Sequence, residues 1–223
     1  DFGAFERYGN VSLRYVDHVK DLHQPDMIIL PGTKSTMADL LWLRQCGLES
    51  AVQKAAASGA LVFGVCGGFQ MLGRKISDPQ QVEAAGIAEM RGMGLLEMDT
   101  IFHPEKVQTQ TKGVFEGIDG LLAGLNGKQY EGYEIHMGRS EEKLPALVGT
   151  GNVYGSYIHG IFDAPEICNA ILKAICRQRG IDFSLLETLD SREYKNRQYD
   201  LLADVVRSSL DMDYIYRVLN REV

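Results

Sequence analysis

Two residues in this sequence have the types and neighbours that nucleophilic chemistry requires. Cys66 stands in Gly64-Val65-Cys66-Gly67-Gly68-Phe69-Gln70, where an apolar run from Ala60 stops and a helix-like pattern of Phe69, Met71 and Leu72 begins. A strand-to-helix corner pushes its central side chain up out of the sheet, and it needs small neighbours because the turn leaves no room for a Cβ on either side. The helix starting at Gly67 aims free N–H groups and the positive end of its dipole at the sulfur, which favours the thiolate. A buried core cysteine is the plain alternative, but a core thiol does not need glycines at 64, 67 and 68. The second residue, His159, ends a strand-like stretch and is followed by Gly160, which places it at the carboxyl edge of a sheet, where open α/β sheets build their sites. Thiolate attack on an acyl carbon needs a base that can protonate the leaving group and donors for the tetrahedral oxyanion. Cys66 and His159 supply the first two. The backbone N–H groups of Gly67 and Gly32 are the natural donors, since a glycine after Pro31 lets the backbone approach a ligand closely.

Around these residues the chain alternates strands and helices. Asp26 to Leu30 is a continuous apolar run, as a central parallel strand should be, and Pro31-Gly32 ends it sharply. Thr33-Lys34-Ser35-Thr36 lacks the glycine of a phosphate loop, so Ser35 or Thr36 reads as a helix N-cap. Met37, Leu40, Leu41 and Leu48 fall at helical spacing with Gly47 as a C-cap, and Leu48 to Ser58 forms a second helix before the elbow strand. Strand, helix, strand, helix in this order specifies a parallel sheet with right-handed crossovers. Further strands are expected at residues 11–16, 94–102, 106–115, 129–138 and 152–159, with His103-Pro104-Glu105 a loop between two of them. Glu134 and His136 fall on one face of their strand and could form a polar pair. From Pro165 the pattern is helical, and Ile167, Cys168, Ile171, Leu172 and Ile175 make one apolar stripe, so Cys168 and Cys176 read as packing residues. Ser191 reads as the cap of a long helix with Leu202, Val205 and Val206 on its apolar side. Tyr194, Tyr199, Tyr214 and Tyr216 read as half-buried tyrosines on the domain edge.

Composition bounds the remaining possibilities. A chain of 223 residues with 45% apolar content can bury one α/β core, and a single domain over 1–223 is expected. A net charge of −7 gives no electrostatic footprint for nucleic acid or an anionic membrane. No run of about eighteen apolar residues and no basic-then-apolar leader is present, so neither a membrane partner nor export is expected. The four cysteines show neither a disulfide framework nor Cys-x-x-Cys metal spacing, which suits the cytoplasm and no metal site. A chain that starts at Asp1 rather than Met reads as part of a longer protein.

The elbow resembles the Gly-x-Cys-x-Gly-x-Gln motif of class I glutamine amidotransferases, which release ammonia from glutamine. The resemblance extends to Met27–Thr36, to Gly132-Tyr133-Glu134-Ile135-His136-Met137-Gly138 and to Gly155-Ser156-Tyr157-Ile158-His159-Gly160-Ile161-Phe162-Asp163, which together are similar to the glutaminase part of the cobyric acid synthase family. It implies an α/β, flavodoxin-like fold: a mostly parallel central sheet with helices on both faces, additional antiparallel strands and a helical C-terminus. It also implies that Gly68 and Gln70 position the substrate glutamine, while His136 and Met137 lie in the segment meeting its amino and carboxylate ends. No cofactor is implied for this domain. ATP and Mg2+ belong to an N-terminal synthetase domain, absent from this chain, which has no Gly-x-x-x-x-Gly-Lys-Ser/Thr loop. That domain would carry the corrinoid acceptor.

One position departs from the superfamily pattern. Its members continue His-x-Glu, the glutamate orienting the imidazole, whereas the third position here is Ile161. A Cys-His dyad is therefore expected, its ring held by a backbone carbonyl, water or another side chain, with Asp163 and Glu134 the named carboxylates. A missing orienter would make the isolated chain a weak glutaminase, fully active only with its synthetase domain. The competing readings are a glutaminase serving another acceptor, a non-catalytic glutaminase-like binding or regulatory module, and a thiol-dependent hydrolase or chaperone. Retention of both Cys66 and His159 speaks against the module, and Gln70 with the Pro31-Gly32 turn against the last.

Overall fold

The structure is a computed structural model that describes residues 1–83, 86–140, 144–186 and 191–220. After a 3-10 turn at Gly3–Arg7, the chain forms α1 (Val19–Leu22), β1 (Met27–Leu30), α2 (Thr36–Gln45), α3 (Leu48–Ala57), β2 (Leu61–Val65), α4 (Gly67–Leu72), β3 (Lys75–Ser77), β4 (Glu89–Arg91) and β5 (Asp99–Val114). A 3-10 turn at Gly120–Leu125 leads to β6 (Gln129–Arg139), β7 (Val148–Thr150), β8 (Val153–Ser156), β9 (Ile158–His159), α5 (Pro165–Arg179), a 3-10 turn at Phe183–Leu185, α6 (Ser191–Ser209) and α7 (Met212–Leu219).

The first sheet has the order β1-β2-β8-β7, with β1, β2 and β8 parallel and β7 antiparallel at the edge. All five residues of β2 are buried, as expected of a central strand covered on both faces. Its side chains alternate. Leu61, Phe63 and Val65 pack with Ile167, Cys168, Ile171, Leu172 and Ile175 of α5, while Val62 joins Met37 and Leu40 of α2 and Val52 and Ala56 of α3 on the other face. Each fully buried Leu, Ile or Phe contributes roughly 1.5–3 kcal/mol by removal from water, so this sandwich of helix, sheet and helix is the platform on which the corner after β2 rests.

The second sheet, β4-β3-β5-β6-β9, is mostly antiparallel, and its long pair β5–β6 has a register shift between Phe102 and Val107. That shift is where a loop at His103-Pro104-Glu105 was expected; the strand continues through it. The stretch 152–159 divides instead. β8 ends at Ser156 in the first sheet and β9 begins at Ile158 in the second, so Tyr157 is the crossing point between sheets. Ser156 makes the break: its hydroxyl donates to the Ala146 carbonyl at 2.5 Å and accepts from the Ile158 N–H at 3.1 Å, taking backbone bonding out of the ladder.

Other expectations change in the folded chain. Residues 11–16 carry no strand, and Tyr15 is largely exposed. The alternation there finds no partner strand. Gly47 does turn α2 into α3, with φ +84. Cys168 and Cys176 are buried within α5 as packing residues. The apolar side of α6, with Leu202, Val205 and Val206, is exposed, and Tyr199, Tyr214 and Tyr216 are exposed rather than half buried. The side chains of Ser191 and Tyr194 lie outside the described residues. No described helix is long and apolar enough to cross a membrane.

Candidate active site

Cys66 has φ +49 and ψ −108, a conformation that non-glycine residues rarely adopt and that costs about 1–3 kcal/mol. The corner is over-determined by its surroundings. The Cys66 N–H donates to the Ser156 carbonyl at 2.8 Å, and the Cys66 carbonyl accepts from the Gln70 N–H at 3.0 Å as α4 begins. Gly64 and Gly68 are demanded by close approach: a Cβ on Gly64 would lie 2.6 Å from the Phe69 backbone, and one on Gly68 would run into the Leu30 carbonyl. The thiol lies under β6, with Sγ 3.7 Å from the Ile135 carbonyl.

The loop after β1 brings Gly32 between the two reactive residues. A Cβ on Gly32 would lie 3.5 Å from Cys66 Cβ, 3.5 Å from His159 Nε2 and 2.8 Å from His159 Cε1. Gly67 packs against Thr33 of the same loop, where a Cβ would come within 2.7 Å of Thr33 Cγ2. Ser35 occupies the N-cap position of α2 without a side-chain cap bond. The free N–H groups of Thr36 and Met37 donate instead to the Glu83 carboxylate at 2.8 and 2.9 Å. Glu83 is itself placed by the buried Asp78, which accepts from the N–H groups of Val82 at 2.7 Å and Glu83 at 2.9 Å. This distant cap had no local signal in the sequence.

His159 closes β9 and is held on several sides. Its Nδ1 donates to Asp1 Oδ2 at 2.8 Å, and its ring stacks on Tyr133 with centroids 5.1 Å apart and planes inclined by 14°. Tyr133 is its register partner across β6–β9. Neither carboxylate named from the sequence takes this role. Glu134 faces His136 Nε2 at 3.3 Å, and Asp163 lies in the turn after Gly160, its N–H donating to the Gly160 carbonyl at 2.9 Å. Ile161 is buried in the core. The ring is thus held by another side chain, one of the three kinds of holder expected where the superfamily's glutamate is missing.

A buried polar chain runs behind the corner. The Thr36 hydroxyl donates to Gln70 Oε1 at 3.1 Å, Gln70 Nε2 donates to the Tyr157 hydroxyl at 3.4 Å, Tyr157 and Ser140 share a 2.7 Å bond, and Ser140 reaches Thr100 at 2.9 Å. Burial pushes the Tyr157 phenol up from its ordinary value, against hydrogen bonds that lower it, so it remains a hydroxyl. His136 stacks on Tyr157 with centroids 3.9 Å apart, and its Nδ1 donates to the Gly138 carbonyl at 2.7 Å. Met137 is partly buried against the neighbouring core. Gln70 and His136 therefore point into a protein network. The Gln70 amide is engaged at both ends.

One solved structure, described as a glutamine amidotransferase, matches with a TM-score of 0.52 at 22% identity, over 77% of this chain and 90% of that one. The α/β fold is thus that of a glutamine amidotransferase. The CobB/CobQ-like glutamine amidotransferase domain matches residues 1–167. Curated cobyric acid synthases from Lachnoclostridium phytofermentans and Ruminiclostridium cellulolyticum are 46% and 43% identical over 100% of this chain. The chain belongs to the CobB/CobQ-like glutamine amidotransferase family. It spans about half the length of the curated relatives it matches, 48% and 47% of those two.

Proposed function

We propose that the chain hydrolyses glutamine through a thioester on Cys66 and supplies the ammonia to an ATP-dependent amide ligase, as the glutaminase half of a cobyric acid synthase. The observation that carries the reading is the strained Cys66 corner facing His159 across Gly32. The Cys66 thiolate adds to the carboxamide carbon of glutamine, and the N–H groups of Gly32 and Gly67 receive the oxyanion. With Nδ1 engaged, Nε2 is the atom of His159 left to exchange protons. Holding there the proton taken from the Cys66 thiol, it passes that proton to the departing nitrogen, the C–N bond breaks and ammonia leaves. His159 then takes a proton from water as its oxygen attacks the thioester; glutamate leaves and the Cys66 sulfur is regenerated. Gly68, Gln70, His136 and Met137 shape the wall against which glutamine lies, Gln70 and His136 through the Tyr157 network.

The relatives' name and greater length support a second half that activates corrinoid carboxylates with ATP and Mg2+. Four free cysteines fit the cytoplasm. The test is incubation with a diazo-ketone analogue of glutamine, followed by peptide mapping and an ammonia assay. Modification of Cys66 with loss of ammonia release supports the reading. Modification elsewhere with Cys66 intact overturns it.

A further inference from the structure

The carboxylate on His159 comes from a part of the chain that no spacing rule would search. Asp1 grips two adjacent groups at once: Oδ2 accepts from His159 Nδ1 at 2.8 Å and Oδ1 accepts from the Gly160 N–H at 2.7 Å. Both side chains are largely buried, 18% exposed for Asp1 and 13% for His159. The segment behind Asp1 is anchored in the core. Ala4 and Phe5 are buried, Phe5 packs on Phe162 with ring centroids 5.1 Å apart, and the Tyr8 hydroxyl donates to Asn169 at 2.8 Å. Phe162 lies two residues beyond Gly160, so the same core residue that seats the 3-10 turn also seats the turn bearing His159.

We infer that Asp1 is the positioning residue for His159, taking the place that the glutamate of a His-x-Glu sequence would fill. The inference rests on the assignment of Cys66 and His159 as nucleophile and base. A carboxylate on Nδ1 selects the tautomer whose Nε2 faces the nucleophile, and it stabilises the imidazolium that forms once His159 has taken a proton. Its second oxygen, on the Gly160 N–H, prevents the carboxylate from rotating away. Stacking on Tyr133 limits tilt of the ring. Ile161, freed from any polar duty, packs in the core.

The experiment compares Asp1→Asn, Asp1→Glu, Cys66→Ala and His159→Ala for glutamine hydrolysis in the full-length enzyme. Asp1→Asn keeps the shape, but its amide can present a donor to Nδ1 and favour the wrong tautomer. In a Ser-His-Asp enzyme that change lowers turnover about ten-thousandfold. Here kcat is expected to fall at least a hundredfold while KM stays within threefold, with Asp1→Glu recovering at least tenfold over Asp1→Asn. A merely structural role would not depend on the charge. Asp1→Asn within threefold of the unmodified enzyme, or Asp1→Glu no better than Asp1→Asn, overturns the inference. Should Asp1→Asn fail to fold, Asp1→Ser is read by the same criteria. If Cys66→Ala or His159→Ala retains turnover, the underlying assignment fails; if both abolish it while Asp1→Asn does not, only the role of Asp1 falls.

Discussion

Gly32 and His159 stand so close that a methyl group on Gly32 would lie 2.8 Å from the imidazole Cε1. Gly32→Ala should therefore push the ring off its line to Cys66. Gly32 does not have a positive φ, so the backbone tolerates alanine. A displacement on the order of 1 Å at a reacting group lowers rate roughly a hundredfold. Turnover is expected to fall by about that factor with the melting temperature little changed, as measured by ammonia release and calorimetry. Normal turnover would mean that the ring is not confined by this turn.

The cysteines should separate by reactivity. Burial pushes the Cys168 thiol up to about 11, and its sulfur bonds to the Phe162 carbonyl at 3.0 Å. Because burial disfavours the charged form, Cys168 stays a thiol and inert below that value, and its labelling should rise only as pH approaches about 11. Burial also raises the Cys176 thiol. A glutamine-mimicking electrophile at pH 8 should modify Cys66 first, and mass spectrometry of the time course decides it.

His159→Ala should leave the fold intact and slow ammonia release by a hundredfold or more, the usual scale for loss of a positioned acid or base. His136→Ala in parallel is the control for which imidazole moves the proton. Unchanged turnover in His159→Ala would transfer that role.

Tyr157 joins the two sheets and the polar chain behind Cys66. Tyr157→Phe removes a hydroxyl that Gln70 and Ser140 share, leaving polar groups under-satisfied in a buried site at about 1–3 kcal/mol. Denaturant unfolding should show that loss in midpoint, with turnover falling as the Gln70 helix loosens. A neutral substitution would mean that water replaces the hydroxyl.

Glu83 caps α2 across 47 residues of sequence. Glu83→Ala should lower stability by about 0.5–2 kcal/mol, the range for losing an N-cap, and loosen the loop that carries Gly32. Chemical denaturation measures the first effect and the glutamine KM the second.

Cys66 with its glycines, the His159-Gly160 pair and the apolar run of β2 were legible because each is a local pattern. A sharp corner needs small residues beside it, and a central strand needs apolar residues throughout. The packing role of Cys168 and Cys176 followed from helical spacing in the same way. What depended on the whole chain closing on itself left no such mark. Asp1 meets His159 across 158 positions, and Glu83 reaches α2 from a turn held by Asp78. Strand alternation put Glu134 and His136 on one face, and in the fold they meet, but it could not say which of Glu134 and Asp163, if either, reaches His159. The expected single strand over 152–159 splits at Tyr157 for a similar reason. Both halves satisfy alternation, but the Ser156 hydroxyl intercepts the backbone and sends the second half into another sheet. Periodicity records how a segment faces its core, whereas the hydrogen bonds that aim His159 join segments whose only relation is their meeting in space.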